Sequence, residues 1–419
     1  MSRPRAAIVV TGSELVRGDR TDLNGPFYAQ EALRLGLEPM RIAIVGDRPD
    51  DLRAAITQGL EADVMLVSGG LGPTHDDRTV EFVAAAVGRP LVVDTTLEHK
   101  IGEVSRTFAT RMRRPYADFE SGVRKQATIP EGAISLGIAG TAPGLVLDTG
   151  SCVVVVLPGP PSELQRLWPR ALETEPVRQV LSRTVVPTRQ VLRIYGVSES
   201  AVARALADAG GDGDGVEVTI CARDFELHVD IVAEPGAEAD ADALIARLRA
   251  PLAAHVFSED EVSVEELVLA ACRSRGLSLV TAESCTGGMI AARLTGVPGS
   301  SDVFRGGVIA YANDVKEHEL AVPAELLAAH GAVSAEVAAA MAHGARQRFG
   351  ADLAVAVTGV AGPGGGTPEK PVGLVFLHVA GPDGDLAQQF ELARERDWIR
   401  SRATVAALHL VHRLLTPAA

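Results

Sequence analysis

The sequence predicts an α/β protein with more than one domain. The chain has 419 residues, more than a single hydrophobic core usually serves. Short runs rich in β-branched residues alternate with amphipathic stretches in its first and last thirds, which favours strands packed against helices. The 42 glycines and an aromatic content of only 4% fit the tight turns that such a fold needs.

Residues 1–172 predict a three-layer domain in which helices cover a parallel sheet. The runs AAIVV, MRIAIVG and DVMLVSGG are each followed by a helical pattern, and CVVVV leads through LPGPP into another helix. Ligands bind at the carboxyl ends of strands in such sheets. We therefore expect functional residues directly after each apolar run.

Residues 173–260 predict a small α+β domain, and residues 261–419 return to the strand–helix pattern. The order strand, helix, strand, strand, helix in the middle part resembles a KH-type domain, a fold that binds single-stranded RNA in other proteins. The segment GGDGDG at 210–215 follows a helix instead of a strand. We interpret it as a connection and not as a phosphate loop.

The net charge and the cysteine pattern indicate the cellular compartment and exclude some classes of partner. The chain has 40 basic and 54 acidic residues, a net charge of -14, and no segregated basic patch, which argues against nucleic acid as a partner. The four cysteines are scattered, which fits a reducing cytoplasm. The longest strongly apolar run, 152–157, is too short to cross a bilayer. We expect a cytoplasmic protein with no nucleic-acid or membrane partner.

The first candidate site lies where the strand LSLVTAE gives way to the helix MIAARLTG. Ser284 and Cys285 place a hydroxyl and a thiol at this turn, beside helix N-terminal amides that we expect to bind an oxyanion or a phosphate. The alternative is that Ser284 or Thr286 only caps the helix. The candidate substrate-binding residues of the turn are Thr286, Gly287 and Gly288.

Two other strand ends in this domain carry candidate residues. Lys316 follows the strand GGVIAY, and a lysine can activate a serine hydroxyl when it is desolvated enough to be neutral. On its own, such a lysine is usually a solvated surface residue. The strand ADLAVAVTG leads into a glycine-rich loop that a ligand can approach closely. From these two strand ends, the candidate substrate-binding residues are Asn313, Thr358, Gly359 and Gly362.

Taken together, these segments resemble the CinA family. ESCTGG, YANDVK, TGVAGPGGGTPEKPVG and RERDWIRSRA are similar to the nicotinamide-nucleotide amidohydrolase domain of that family. The resemblance implies cofactor-free hydrolysis of nicotinamide mononucleotide to nicotinic acid mononucleotide and ammonia. It also implies Ser284 as the nucleophile, Lys316 as its base and Tyr311 as a supporting hydroxyl. Cys285 is a rival nucleophile, one residue from the matched position.

Two arginines are candidate anchors for the substrate. Arg396 and Arg400 are one helical turn apart, so they share a face and can hold a phosphate or a carboxylate. The sequence leaves open which of them does so. Glu395 stands where the family usually has glycine, a departure that lies directly beside this pair.

A second candidate site lies in the first domain, after the strand DVMLV. Asp76 and Asp77 are expected at the start of the next helix, where glycines and amides suit phosphates and carboxylates suit a divalent cation. Other strand ends supply Glu14, Asp22 and Asp47, although a single carboxylate most often forms a turn or a helix cap. The candidate phosphate-binding residues are Gly69, Gly70, Gly72 and Thr74.

With LPGPPSEL, this pattern resembles the molybdopterin-binding fold that forms the N-terminal half of CinA proteins, over about residues 5–170. The resemblance implies a homodimer and cleavage of ADP-ribose-type pyrophosphates by a divalent metal ion at Asp47, Asp76 and Asp77. Ser68 departs from the usual threonine, and TDLN at 21–24 departs from an Asp-Thr-Asn run. The alternatives are a molybdopterin- or nucleotide-binding protein without catalysis in this half, or a competence-related interaction protein.

Overall fold

The structure is a computed structural model that describes residues 3–392 and 394–416. The chain divides into two compact units, residues 1–187 and 188–419. Within the described ranges, no helix is both long enough and apolar enough to cross a membrane.

The first unit contains eight strands and eight helices among its described residues. The strands are β1 (Arg5–Thr11), β2 (Glu38–Val45), β3 (Val64–Ser68), β4 (Leu91–Val93), β5 (Thr128–Pro130), β6 (Ile134–Ile138), β7 (Pro143–Asp148) and β8 (Val153–Leu157). The helices are α1 (Ser13–Val16), α2 (Asn24–Arg34), α3 (Pro49–Gly59), α4 (Thr79–Ala86), α5 (Thr95–Met112), α6 (Ala117–Gln126), α7 (Pro161–Leu172) and α8 (Glu175–Leu181).

Six of these strands form one sheet in the order β2-β1-β3-β8-β7-β6, with a hydrophobic core on each face. Every residue of β3 and β8 is buried, as expected for central strands covered on both faces. The predicted parallel pairing is confirmed from β2 to β8. It is wrong at the other edge, where β7 pairs antiparallel with β6 and β8. The connections there are too short for a parallel crossover.

The second unit contains the KH-type and C-terminal folds. Its strands are β9 (Thr188–Ile194), β10 (Val216–Arg223), β11 (Glu226–Ala233), β12 (Val256–Ser258), β13 (Leu279–Glu283), β14 (Phe304–Ile309), β15 (Leu353–Gly359), β16 (Leu374–Gly381) and β17 (Gly384–Glu391). The helices are α9 (Glu199–Asp208), α10 (Glu238–Leu252), α11 (Val264–Arg275), α12 (Met289–Gly296), α13 (Asn313–Leu320), α14 (Ala324–His330), α15 (Ala335–Phe349) and α16 (Arg396–Leu415), with a 3₁₀ turn at Ser300–Asp302.

The two sheets of this unit are separate. The KH-type sheet has the order β10-β11-β9-β12 and is antiparallel, and α9 and α10 pack on it. The C-terminal sheet has the order β14-β13-β15-β16-β17. Its first three strands are parallel, whereas β16 and β17 pair antiparallel. The predicted α/β class with a small KH-type domain is therefore confirmed.

The long helix α16 contacts the KH-type sheet through a buried pair. His409 Nε2 lies 2.6 Å from Glu226 Oε1, and the His409 ring stacks on Tyr195 with 3.7 Å between ring centres. Burial raises the pKa of Glu226 to about 7 and lowers the pKa of His409 to about 3, because charged forms are disfavoured away from water. The contact between Glu226 and His409 helps fix the helix that begins at Arg396.

Candidate active site

Ser284 directly follows β13, the middle one of the three parallel strands of the C-terminal sheet. Its backbone N–H donates to Val357 O at 2.9 Å, and its carbonyl accepts from the Gly287 N–H at 3.2 Å, which closes a tight turn. Gly287 and Gly288 have φ angles of +63° and +98°, a left-handed conformation that side chains with a Cβ rarely adopt. The two glycines therefore let the chain reverse into α12 directly after Ser284.

The N-terminal amides of α12 are occupied by a side chain of the protein itself. Glu283 Oε2 accepts from Gly288 N at 2.9 Å and Ile290 N at 3.1 Å, and Oε1 accepts from Ala291 N at 2.9 Å. The Glu283 residue is only 1% exposed. A carboxylate is stabilised at this end of the helix dipole. The expectation that these amides bind an oxyanion or a phosphate is therefore wrong for these three donors.

The alternative that a hydroxyl caps α12 is also wrong. The helix has Gly288 as its N-cap residue and no side-chain cap hydrogen bond. Thr286 is fully buried, and its Oγ1 has no hydrogen-bond partner within the described structure. Neither hydroxyl of this turn is thus explained by capping.

Lys316 reaches the Ser284 hydroxyl from helix α13. The distance from Lys316 Nζ to Ser284 Oγ is 3.3 Å, and Nζ also donates to the carbonyls of Ala310 at 2.7 Å and Tyr311 at 3.3 Å. Lys316 is 1% exposed, so it is not the solvated surface residue that lysines usually are. Burial lowers the pKa of Lys316 below its ordinary value. Lys316 and Ser284 thus lie in contact, as a base and its nucleophile would need to.

The two arginines of α16 bind different loops. Arg400 donates from Nε to Cys285 O and from Nη2 to Thr286 O, both at 3.0 Å, so it braces the turn after Ser284. Arg396 donates from Nη1 to Gly362 O at 2.7 Å and from Nη2 to the Tyr311 hydroxyl at 3.1 Å. The face predicted to hold substrate therefore also holds the site's own loops together.

The predicted residues of the first unit line a cavity of about 600 Å³. Gly69 has a φ of +99°, and a Cβ there would lie 2.5 Å from Thr11 O, so only glycine fits this approach of two strand ends. Thr74 is not among the lining residues of the cavity. The predicted residues that do line it are Glu14, Asp22, Asp47, Gly69, Gly70, Gly72, Asp76 and Asp77.

The carboxylates of this cavity are arranged differently from the prediction. Helix α4 begins at Thr79, so Asp76 and Asp77 lie in the preceding turn, where the Thr74 hydroxyl contacts both carboxylates. Asp47 instead accepts from Ser13 Oγ at 2.5 Å. Among the residues that the structure describes, Asp47, Asp76 and Asp77 do not form a three-ligand cluster within 4.8 Å. A metal ion here would depend on the substrate for further ligands.

Comparisons with known proteins agree with this division of the chain. Three family profiles match it: "Probable molybdopterin binding domain" over residues 7–176, "Damage-inducible protein CinA KH domain" over 189–258 and "CinA C-terminal domain" over 261–415. CinA-like proteins of Mycolicibacterium gilvum and Mycobacterium tuberculosis are 46% and 45% identical over 98% of this chain, and the matches cover 99% and 97% of those proteins. The chain belongs to the CinA family.

Solved structures of CinA-family proteins match parts of the chain. The competence/damage-inducible protein CihA of Agrobacterium tumefaciens is 43% identical, with 38% of this chain and 100% of that chain covered and a TM-score of 0.36. The CinA protein of Thermoplasma acidophilum is 30% identical, with 42% and 98% covered and a TM-score of 0.37.

The remaining predicted residues of the CinA C-terminal domain differ in whether their side chains are exposed or already contact other parts of the protein. Tyr311 is 62% exposed, and Asn313 is exposed at the first position of α13. Thr358 is buried, and its hydroxyl donates to Ala332 O at 2.7 Å. Gly359 and Gly362 pack closely against β16 and the segment before it. Thr358 thus already supports the loop, whereas Tyr311 and Asn313 remain open to a ligand.

Glu283 has a role in this CinA-family site that the sequence pattern does not predict. It lies in the motif ESCTGG, as the last residue of strand β13. A carboxylate just before a helix N-terminus was the available signal, because such a group can accept from the first free amides. The contacts of Arg400 with two carbonyls had no comparable signal, since backbone acceptors carry no side-chain pattern.

Cys285 is a poor nucleophile in this CinA-family chain, which gives a first prediction. The residue is 4% exposed, and burial raises the pKa of its thiol to about 12, whereas the reactive form of a cysteine is the thiolate. In an assay of ammonia release from nicotinamide mononucleotide, the reaction that the sequence resemblance implies, we expect Cys285→Ala to stay within about threefold of the parent. A loss as large as that of Ser284→Ala would identify Cys285 as the nucleophile instead.

Proposed function

We propose that this CinA-family protein is a nicotinamide mononucleotide deamidase of pyridine-nucleotide salvage. The observation that carries the proposal is the buried Lys316 amine, 3.3 Å from Ser284 Oγ. Such a pair provides a nucleophile and its base in one contact. The substrate follows from the resemblance of the surrounding motifs to the amidohydrolase domain. No cofactor takes part in the proposed chemistry.

The proposed reaction proceeds in two steps. Neutral Lys316 accepts the Ser284 proton while Oγ attacks the carboxamide carbon, and the protonated lysine then donates to the leaving nitrogen, which departs as ammonia. Water next attacks the acyl-serine ester while Lys316 accepts a proton from it, and the lysine then returns this proton to Ser284 Oγ as the ester bond breaks and nicotinic acid mononucleotide is released. The carbonyls of Ala310 and Tyr311 hold Nζ in place through both steps.

The arginine contacts favour Arg396 as the anchor of the substrate phosphate. Arg400 directs two donors at the carbonyls of the Ser284 turn, so its role is to position that turn. Arg396 instead contacts the exposed Tyr311 hydroxyl. A phosphate can replace or extend this contact, because guanidinium donors match phosphate oxygens. Tyr311 would then act at the phosphate end of the substrate.

The experiment that tests the deamidase proposal is a direct product assay. Purified protein is incubated with nicotinamide mononucleotide, and ammonia and nicotinic acid mononucleotide are quantified for the parent and for Ser284→Ala. We expect both products with the parent and only the blank level with the variant. If the parent gives no product above the blank, or if Ser284→Ala is as active as the parent, the proposal is wrong.

The buried base also predicts a pH dependence. The lowered pKa of Lys316 means that the neutral amine is populated at lower pH than in a free lysine. Because the neutral form is the active one, kcat/KM should fall as pH falls through this pKa and level off above it. A profile of kcat/KM against pH measures this fall. A rate that instead rises as pH falls would mean that the protonated lysine is the active form.

We also propose a metal-dependent ADP-ribose-type pyrophosphatase site in the first unit. Its support is the cavity of about 600 Å³ that brings Asp76 and Asp77 together with the glycines that follow β3. Magnesium often uses one or two protein carboxylates, waters and substrate phosphates, so the exposed Asp76 and the half-buried Asp77 fit such an ion. When bound, the ion would neutralise charge on the pyrophosphate. Asp47 would lie on the Ser13 side of the cavity.

The two halves can be tested independently, because they use different substrates. ADP-ribose is offered with and without Mg²⁺ or Mn²⁺, and AMP is measured for the parent, for Asp77→Asn and for the exposed control Asp50→Asn. We expect metal-dependent AMP from the parent and the control, and at least about tenfold less from Asp77→Asn. Absence of AMP with every metal would leave this half as a nucleotide- or molybdopterin-binding module.

A further inference from the structure

Two histidines and one aspartate meet at the edge of the C-terminal sheet, outside both sites described above. His343 lies on α15, His378 on β16 and Asp385 on the edge strand β17. Asp385 Oδ2 is 3.0 Å from His343 Nε2 and 3.0 Å from His378 Nε2, and one ligand atom of each residue lies within 4.8 Å of the others. Three different elements thus bring three metal-binding side chains to one point.

The sheet register and a helix anchor fix these positions. Asp385 lies opposite Ala380 in the β16–β17 ladder, so His378 is its diagonal neighbour on the same face of the sheet. Helix α15 covers this face. Arg346, three residues after His343, donates from Nη1 to Gly381 O at 3.0 Å, which ties the helix to the end of β16. The cluster is therefore built on regular elements and not on a mobile loop.

The donor set points to a particular class of ion. Two imidazoles and a carboxylate suit zinc and similar transition metals, whereas Mg²⁺ and Ca²⁺ prefer oxygen ligands alone. Asp385 supplies the carboxylate oxygen of this set, and its Oδ2 already lies within hydrogen-bond distance of both imidazoles.

We propose that His343, His378 and Asp385 form a binding site for a divalent transition-metal ion, with Zn²⁺ as the ion of choice. Two donors about 2.1 Å from a tetrahedral zinc ion lie roughly 3.4 Å apart, so the 3.0 Å separations need only a small expansion. The side chains of His343 and Asp385 are 54% and 34% exposed, and that of His378 is 11% exposed. The site is open to solvent on one side, which leaves room for a water as the fourth ligand.

The bound ion would connect the edge strand to the covering helix. In its absence, each imidazole contacts the same carboxylate oxygen, whereas zinc replaces these contacts by three coordinate bonds. Because a ligand that binds only the folded state stabilises it by mass action, zinc should raise the thermal stability of the protein. Neither proposed reaction uses these side chains, so the test does not depend on the proposed activities.

The test uses untagged, full-length protein that carries Cys221→Ser, because the exposed thiol of Cys221 is itself a zinc ligand. After chelator treatment and removal of the chelator, the protein is titrated with ZnSO₄ by calorimetry. Its melting temperature is recorded with Zn²⁺ and with Mg²⁺. We expect one equivalent of zinc to bind, a higher melting temperature with Zn²⁺ and no comparable shift with Mg²⁺. Visible absorption after Co²⁺ addition reports the nitrogen ligands.

Two variants and one control identify the ligands. His343→Ala removes an exposed ligand, and Asp385→Asn replaces the carboxylate without a change in size. Each should weaken zinc affinity at least about tenfold and abolish the zinc-dependent thermal shift. His99→Ala, which removes an exposed histidine of the first unit, should leave both unchanged. The proposal is overturned if the parent shows no saturable zinc binding, if both variants bind zinc like the parent, or if Mg²⁺ produces the same shift.

Discussion

Replacement of Lys316 by methionine is expected to reduce kcat/KM for nicotinamide mononucleotide by about 10²- to 10⁴-fold, the usual contribution of a general base. The amine lies 3.3 Å from Ser284 Oγ, and its other hydrogen-bond partners among the described residues are the carbonyls of Ala310 and Tyr311, not a carboxylate. Without it, the Ser284 hydroxyl keeps its proton and attacks the carboxamide poorly. Substrate affinity should change much less, because Lys316 is placed at the reacting group.

The choice of methionine separates catalysis from folding. Its unbranched side chain fills much of the buried space of Lys316, although the carbonyls of Ala310 and Tyr311 lose their donor. Denaturant unfolding of the variant, the parent and Cys285→Ala shows whether the fold persists. A folded Lys316→Met protein with activity within about threefold of the parent would exclude Lys316 as the base.

The location of this site could be predicted from the sequence because parallel strands end at one edge of a sheet. Glu283 pairs with both Ile309 and Val357, so β13 and β14 end side by side and β15 ends only two residues further on, at Gly359. The burial of Lys316 could not be predicted. Helix α13 has the sequence NDVKEHEL, in which only Val315 and Leu320 are apolar. Its packing against α15 and the sheet removes the Lys316 amine from water.

The missed features depend on contacts between distant residues or on backbone acceptors. Arg400 binds carbonyls more than a hundred positions away in the chain, and no residue type marks a carbonyl in a sequence. The cluster of His343, His378 and Asp385 was missed for a similar reason. The register of the β16–β17 hairpin and the packing of α15 bring its members together in the fold. Their spacing in the sequence matches no short ligand motif.

Glu283→Gln is expected to lower the free energy of unfolding of the second unit by about 2–4 kcal/mol, the range for disrupting a buried charged hydrogen-bond group. The carboxylate accepts three amide N–H groups through its two oxygens. Glutamine has nearly the same shape, but its NH₂ group must face at least one of these donors. One buried backbone N–H then faces the glutamine NH₂ group, which is also a donor, and loses its hydrogen bond. The first turn of α12 should therefore be less stable.

The same substitution should reduce deamidation, because the turn that carries Ser284 is built on these contacts. Glu266→Gln is the matched control: Glu266 closes a capping box with Ser263 at the start of α11, an exposed arrangement that glutamine can also form. Its unfolding free energy should change by less than about 0.5 kcal/mol. Chemical denaturation and the ammonia assay compare the two variants. Equal stability and equal activity of both would show that the Glu283 carboxylate is not needed to hold the Ser284 turn.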